Sequence, residues 1–194
     1  MKKDIPVSIL ILVYNEAESI RKVIEEIQAK VSSKLTDCEF IVAEDGSTDG
    51  TKEMLNEIAK NIPIRLVSGK VRKGYTKALI DGMKLARNEI IFFSDSDGQH
   101  DPDDFWKLLE KIDEYDLVIG RKVDRVDPAY RVLISRVFNF IIGMMFGVWL
   151  HDINCGFRLL RKKVAEDVLS KGLNFKYCVK RFCINHRQAL KPVA

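Results

Sequence analysis

The 194-residue sequence lacks several patterns that would assign a function directly. Its first apolar segment is not followed by GxGxxG, so a dinucleotide site is weakly supported, and the absence of GxxxxGK[ST] argues against a P-loop nucleotidase. Four cysteines without CxxC spacing disfavour a zinc site or a disulfide framework and fit a reducing cytosol. No signal peptide is expected, and no apolar run reaches the roughly 20 residues of a membrane-spanning helix.

Charge is distributed unevenly along the chain. Residues 1–119 contain 17 Lys/Arg and 23 Asp/Glu, a net charge of −6, whereas residues 120–194 contain 15 and 5, a net charge of +10. The acidic part suits a cation, and the basic part suits an anionic partner. On charge alone, that partner could be nucleic acid, an anionic lipid headgroup or a phosphorylated acceptor.

Short apolar segments alternate with helical patterns over the first 120 residues. The apolar segments predict strands at residues 7–13, 40–43, 64–68, 90–94 and 117–120. This alternation predicts an α/β fold with an open, mostly parallel sheet and helices on both faces. Ligands of such sheets bind beyond the carboxyl ends of the strands, so Asp45, Asp95 and Asp97 are expected around one crevice.

An acidic segment follows the fourth predicted strand. Five carboxylates occur within ten residues, at Asp95, Asp97, Asp101, Asp103 and Asp104. Crowded carboxylates repel one another unless a cation lies among them, and Mg²⁺ takes one or two carboxylates together with waters and substrate phosphate oxygens. Because side chains alternate along a strand, Asp95 and Asp97 share a face and are the predicted metal–nucleotide ligands. The other three are interpreted as a solvated loop in which Asp101 caps the next helix.

Four motifs, in this order and spacing, resemble the family 2 glycosyltransferases, which have the GT-A fold. They are Val13-Tyr14-Asn15-Glu16, Glu44-Asp45-Gly46-Ser47-Thr48-Asp49, Lys73-Gly74 and Asp95-Ser96-Asp97-Gly98-Gln99-His100-Asp101-Pro102. The resemblance covers about residues 5–165. Later residues resemble the polyprenyl-phosphate branch, which contains dolichyl-phosphate mannose synthase. These are Gly120-Arg121, Arg131, Ser135-Arg136 and residues 152–158.

The resemblance implies a Rossmann-like GT-A catalytic domain over residues 1–165 and a role for each matching residue. The nucleotide pocket is implied to contain Tyr14, Asn15, Glu16 and Asp45, the last on the base or ribose. The donor diphosphate and its Mg²⁺ or Mn²⁺ are implied to be held by Asp95, Asp97 and Gln99, with Lys73 in the same donor site. The acceptor phosphate is implied to be approached by Arg121, Arg131 and Ser135.

The function implied is a metal-dependent, inverting transfer of mannose or glucose from GDP-mannose or UDP-glucose to a polyprenyl phosphate. A phosphomonoester acceptor needs no general base, because its second pKa of about 6 leaves it largely ionised at neutral pH. Two alternatives stay open. One is a saccharide hydroxyl acceptor, for which Asp152 could be the base. The other is a catalytically silent nucleotide-sugar-binding protein.

The last third of the sequence contains the residues relevant to membrane association. Residues 137–150 contain one polar side chain and are interpreted either as a core helix or as a helix lying in the membrane interface. Residues 171–194 contain six Lys/Arg and no Asp/Glu, so residues 166–194 are interpreted as an atypical basic tail, incomplete relative to the family. We expect a peripheral protein on the cytoplasmic face of the membrane that has no nucleic-acid partner and that could require a membrane partner subunit.

Overall fold

A computed structural model describes residues 3–120, 129–146 and 155–170, without the side chains of residues 129, 131, 146 and 168. The chain divides into two compact units, residues 1–106 and 107–194. In the first unit the elements are β1 (Val7–Val13), α1 (Ile20–Lys30), β2 (Cys38–Glu44), α2 (Thr51–Ile58), β3 (Ile64–Ser68), α3 (Tyr75–Leu85), β4 (Ile90–Asp95) and the start of α4 (Asp104–Leu109). In the second they are β5 (Leu117–Ile119), α5 (Ala129–Phe146), β6 (Arg158–Arg161) and α6 (Lys162–Ser170).

The first unit is built on a parallel sheet with the strand order β3-β2-β1-β4. β1 lies inside this sheet, and all seven of its residues are buried. A strand covered on both faces is apolar along most of its length, which explains why its sequence is a near-continuous apolar run rather than an alternation. The predicted parallel sheet is confirmed.

Helices cover both faces of this sheet. On one face α3 approaches β1 so closely that a Cβ atom at Gly82 would lie 2.4 Å from Leu10 Cδ1, so a larger residue there would force the Leu10 side chain to shift. On the opposite face the ring of Phe105, from α4, packs edge-on against Phe92 of β4 with centroids 4.9 Å apart. Leu10 pairs in register with Phe93, so Phe92 and Leu10 point to opposite faces.

The strand register brings the carboxyl ends of three strands together. Val13 of β1 pairs with Glu44 of β2, and Leu12 pairs with Asp95 of β4. Each of these strands is followed by a polar segment, so three polar loops leave the sheet side by side. This edge is where a ligand of a parallel α/β sheet is expected.

The second unit contains an antiparallel pair, in which Leu117 of β5 lies opposite Leu160 of β6. A backbone hydrogen bond of 2.9 Å from Gly120 N–H to the Phe157 carbonyl extends the ladder. Of these two strands, β5 was predicted from the sequence and β6 was not. The two leucines of β6 stand between Arg158 and Arg161, and four residues are too few for an alternation to be recognised.

α5 is the longest described helix and exposes much of its apolar surface. Eight large apolar side chains have exposed fractions between 48% and 67%: Tyr130, Leu133, Ile134, Val137, Phe140, Ile141, Met144 and Met145. At 100° per residue they fall within an arc of about 140°, hence on one stripe. Ile142, outside that arc, is buried. The core-helix interpretation of residues 137–150 is therefore wrong for most of the described part; residues 147–150 lie outside the described residues. Among the described residues, no helix combines the length and hydropathy needed to cross a bilayer.

Candidate functional site

Reciprocal hydrogen bonds join the loop after β1 to the loop after β2. The Asn15 backbone N–H donates to Ser47 Oγ at 3.0 Å, and the Thr48 backbone N–H donates to Asn15 Oδ1 at 2.9 Å. Asn15 has φ of 54°, a left-handed conformation that asparagine adopts more readily than most residues. Asn15 thus shapes the site through its backbone as well as its side chain.

The same two loops are joined again one turn further on. The Glu16 N–H donates to Thr51 Oγ1 at 2.9 Å, and the Ala17 N–H donates to Asp49 Oδ2 at 3.1 Å. The Thr51 hydroxyl donates to Asp49 Oδ1 at 2.5 Å, and this bond holds the pKa of the Asp49 carboxyl below its ordinary value. Asp49 also accepts the backbone N–H of Thr51, the first residue of α2, at 3.1 Å, whereas the N-cap position itself is occupied by Gly50.

Ser19 connects the β1 loop with the acidic segment after β4. Its Oγ lies 2.7 Å from Glu16 Oε2 and 2.9 Å from the Ser96 carbonyl oxygen. Both partners are acceptors, so the single hydroxyl proton can satisfy only one of them at a time. Glu16, expected in the nucleotide pocket, is thereby placed beside the segment that contains Asp95 and Asp97.

Glu44, the last residue of β2, is a buried carboxylate with only 2% exposure. It accepts the Ser47 backbone N–H, and its Oε2 accepts the Ser68 hydroxyl at 2.7 Å. Lys52 Nζ lies 3.7 Å from the same oxygen. A buried carboxylate is stable only when hydrogen bonds and an opposite charge compensate it. Because Ser68 is the last residue of β3, the same hydrogen bonds link the loop after β2 to the end of β3.

Asp45 holds the start of α3. This carboxylate is 5% exposed, and its two oxygens accept the backbone N–H groups of Lys73 at 2.7 Å and Gly74 at 2.8 Å. The Lys73 ammonium lies 3.1 Å from Asp81. Asp45 and Lys73, both expected in the donor site, are therefore neighbours in the structure. A small recess beside them is lined also by Val67, Gly69 and Ala78.

Tyr14 lies directly after β1, and a guanidinium covers one face of its ring. Arg72 Cζ is 4.0 Å from the ring centroid, within the range of a cation–π contact. The backbone of the β2 loop approaches closely here, because a Cβ atom at Gly46 would lie 2.6 Å from Arg72 N. Gly46 has φ of 77°, so glycine is required for both its conformation and its space.

The expected metal ligands occupy the end of β4 and the turn after it. Asp95 and Asp97 are half-buried, and Ser96 between them is buried; β4 ends at Asp95, so Asp97 belongs to the turn rather than to the strand. Asp97 Oδ1 accepts the Gln99 backbone N–H at 3.0 Å across a turn in which Gly98 has φ of 70°. Within the described ranges, no group of three or more His, Cys, Asp or Glu residues is arranged around a metal position. Two half-buried carboxylates fit a cation that completes its shell with waters and phosphate oxygens.

The residues expected near the acceptor phosphate belong to the second unit. Arg121 lies outside the described residues, as does Asp152, the alternative base. Arg131 is in α5, but its side chain is not described. Ser135 is also in α5 and is half-exposed. The acceptor residues therefore stay a prediction.

Several residues that build the site were given no role from the sequence. They are Ser19, Glu44, Ser47, Thr51 and Arg72. The hydroxyl and carboxylate residues among them follow strand ends, which is a weak signal for loop-to-loop hydrogen bonds. Arg72 gave no signal, because its contact with Tyr14 joins residues 58 positions apart.

Solved structures show the same fold. A mannosyltransferase from Pyrobaculum calidifontis, in complex with GDP-Man and Mn²⁺, has a TM-score of 0.63 and 19% identity, covering 86% of this chain and 47% of that one. Glucosyl-3-phosphoglycerate synthase from Mycobacterium tuberculosis, with Mn²⁺, UDP-Glc and phosphoglyceric acid, has a TM-score of 0.64 and 23% identity, covering 82% and 57%. At these identities the likeness establishes the fold alone.

Sequence relatives carry the family assignment. The chain is 33% identical over 181 residues to a dolichol-phosphate mannosyltransferase from Pyrococcus furiosus, covering 88% of this chain and 50% of the relative. It is 29% identical over 175 residues to a dodecaprenyl-phosphate galacturonate synthase from Rhizobium johnstonii, covering 88% and 52%. The chain thus spans about half the length of these curated relatives. The family model described as glycosyl transferase family 2 matches residues 8–169. With that match and motif-bearing loops along one edge of a GT-A sheet, the chain belongs to glycosyl transferase family 2.

Proposed function

We propose that this protein transfers a hexose from a nucleotide sugar to a polyprenyl phosphate, with inversion at the sugar and with a divalent cation. The observation that carries the proposal is the meeting of three motif-bearing loops at one edge of the sheet, with Asp95 paired in register beside β1. Support for the acceptor comes from relatives named as polyprenyl-phosphate and dolichol-phosphate sugar transferases. GDP-mannose and UDP-glucose are the donors we favour, since neighbours of the same fold were solved with these nucleotide sugars.

In this proposal the first unit binds the donor. Tyr14 offers an aromatic face to the base, and Glu16 is held towards the acidic segment by Ser19. Asp97 and Asp95 would hold Mg²⁺ or Mn²⁺, with Gln99 fixing the turn that presents Asp97. When bound, the cation supplies positive charge to the diphosphate oxygens as the sugar–phosphate bond breaks. The loop bonds fix these groups in advance, which is how an enzyme stabilises developing charge without reorganising.

The acceptor is proposed to attack as an ionised phosphate. Its second pKa of about 6 removes the need for a general base, so cations that hold it are sufficient. Arg121, Arg131 and Ser135 remain our proposed acceptor residues. Arginine suits this role, because its planar fork can bind two phosphate oxygens at once.

We further propose that α5 contacts the cytoplasmic surface of the membrane in which the acceptor lies. Its stripe of eight exposed apolar side chains is the kind of surface that lies at the headgroup boundary. α5 contains two arginines, Arg131 and Arg136, and no acidic residue, which favours an anionic bilayer.

The proposal is tested by the acceptor dependence of nucleoside diphosphate release. The full chain is incubated with GDP-mannose or UDP-glucose and with Mn²⁺ or Mg²⁺, and release is measured with a polyprenyl phosphate, with the matched polyprenol and with a saccharide. We expect release and a sugar-labelled lipid only with the polyprenyl phosphate. Release that requires a saccharide hydroxyl would replace the proposed acceptor, and donor binding without turnover under every condition would leave a silent binding protein.

A further inference from the structure

The loop between β3 and α3, residues 69–74, is held at both ends and is called the anchored loop below. At its start, the Gly69 N–H donates to the Glu44 carbonyl at 2.8 Å, and the Gly69 carbonyl accepts from Lys52 Nζ at 2.8 Å. At its end, the carboxylate of Asp45 holds the last two backbone N–H groups. The backbone of this loop is therefore fixed, although its side chains from Lys70 to Lys73 are exposed.

Arg72, in the anchored loop, contacts a residue at the end of a strand that is not adjacent to β3. Arg72 belongs to the loop that leaves β3, yet its guanidinium lies over Tyr14, which follows β1. β2 stands between these two strands. The next strand beyond β1 is β4, about 4.8 Å away by ordinary strand spacing, and it ends at Asp95. The guanidinium is thus placed one strand away from the carboxylates expected to hold the cation.

Unlike Lys73 and Lys52, Arg72 has no anionic partner among the described residues. Lys73 pairs with Asp81, and Lys52 lies beside Glu44. The contact described for Arg72 is with the Tyr14 ring, which leaves the positive charge without a counter-charge. A guanidinium offers five N–H donors in a planar fork that matches the oxygens of a phosphate.

We propose that Arg72 binds the diphosphate of the nucleotide donor, and that Tyr14 and the anchored loop hold it ready for that contact. The inference rests on the proposed function, because it requires a nucleoside diphosphate at this edge of the sheet. Arg72 supplies fixed positive charge on the side of the diphosphate away from Asp95 and Asp97. Stacking on Tyr14 restricts a long side chain before binding, which lowers the entropy lost on binding.

Paired ligands that differ only in the diphosphate test this role. Dissociation constants for GDP, UDP, guanosine and uridine are measured by titration calorimetry on the parent, Arg72→Ala, Arg72→Lys and the control Lys70→Ala. Lys70 is an exposed cation of the same loop. We expect Arg72→Ala to weaken binding of the nucleoside diphosphate that the parent prefers by roughly 10- to 100-fold, as for loss of a charge-assisted hydrogen bond. Arg72→Lys should recover part of the loss, and Lys70→Ala should bind like the parent.

Nucleoside binding separates a diphosphate contact from simple packing on Tyr14. With Arg72→Ala, the nucleoside dissociation constant should stay within about twofold of the parent value, because the guanidinium is proposed to contact only the phosphates. Equal weakening of nucleoside and nucleoside diphosphate, or no weakening of either, would overturn the inference. If the parent itself bound neither nucleoside diphosphate with Mn²⁺ or Mg²⁺, the proposed function would fail instead. Thermal unfolding of each variant confirms that it is folded.

Discussion

The carboxylates at this edge of the sheet differ in their roles, although they belong to motifs whose loops are neighbours. Glu44 and Asp45 are buried and accept hydrogen bonds from neighbouring loops, so their charge stabilises the local structure. Asp97 is half-buried, and one of its oxygens accepts a single backbone N–H. The exposed neighbour Asp103 is paired with Lys30 and Lys34. These contacts distinguish carboxylates that support the site from one that can serve a ligand.

Asp97→Asn should remove the effect of the metal on donor binding. We expect Mn²⁺ to tighten binding of a nucleoside diphosphate in the parent and to have little effect in the variant, because the amide oxygen is a weaker ligand and carries no charge. Titration calorimetry with and without Mn²⁺ measures this. Asp103→Asn, in the same acidic segment, is the matched control and should respond to Mn²⁺ like the parent. A full Mn²⁺ effect in Asp97→Asn would exclude Asp97 as a ligand.

Glu39 illustrates a carboxylate with a structural role at the opposite end of the strands. Burial disfavours its ionised form, but hydrogen bonds from the Ser8 hydroxyl at 2.5 Å and from Arg87 N–H groups at 2.7 and 3.0 Å outweigh it. The pKa of Glu39 is therefore below its ordinary value of 4.5. A carboxyl with a lowered pKa stabilises the fold above its ordinary pKa, and that stability is lost as pH falls through the folded-state pKa.

Glu39→Gln should accordingly destabilise the protein at pH 7 and not in acid. We expect the free energy of unfolding to fall by about 1–2 kcal/mol at pH 7. The value is kept this small because the Arg87 side chain is largely exposed and solvent screens its charge. The difference from the parent should shrink as pH falls below 4.5, because the parent then loses the same charge. Urea unfolding of both proteins at pH 7 and at about pH 3 measures this difference. The exposed Glu110→Gln is the control, and a difference independent of pH would contradict the role of Glu39.

At the scale of elements, α5 joins two properties that rarely occur together in a water-exposed helix. It buries Ile142 on one side and exposes eight large apolar side chains on the other. Those side chains recur three or four residues apart, so they form a continuous stripe. A stripe of this width, if left in water, would forgo much of the free energy of burying apolar surface.

Replacing two residues of the stripe should weaken membrane binding. We expect the double variant Leu133→Gln/Phe140→Gln to bind anionic phospholipid vesicles roughly 10-fold or more weakly than the parent, because each substitution removes apolar area from the contact. Co-sedimentation with vesicles measures binding. Val71→Gln replaces an exposed apolar residue outside α5 and should leave binding unchanged. Equal binding by the double variant and the parent would argue against a membrane contact through this helix.

The strand bounds show how much of the secondary structure could be predicted from the sequence. β1 and β3 were predicted at their observed bounds, because β1 is a near-continuous apolar run that ends at Tyr14-Asn15 and β3 is a short apolar segment between Pro63 and Gly69. β2 proved longer than predicted at both ends, since it includes Cys38, Glu39 and Glu44. Both glutamates are polar in sequence, and their tertiary partners, Ser8, Ser68 and Lys52, make them strand residues. No local pattern contains those partners.

At the scale of the whole molecule, the sequence predicted which loops meet but not how they are joined. Sheet topology alone brings Tyr14, Asp45 and Asp95 to one edge. The contacts that complete the site depend on side chains far apart in sequence, as in the hydroxyl of Ser19 reaching the Ser96 carbonyl. Such contacts depend on how the chain packs, and a local sequence motif contains no information about that packing. The residues proposed for the acceptor belong to the second unit and stay predictions.

The mutual bonds between the loops after β1 and β2 have a consequence for solvent exchange. The amide protons of Asn15, Glu16, Ala17 and Thr48 are held by side-chain oxygens of the facing loop rather than by a strand ladder. Separation of the two loops would free all four together, so we expect them to exchange with deuterium at similar rates. These amides therefore constitute a single opening unit, whose rate of exchange reports how often this edge of the molecule comes apart.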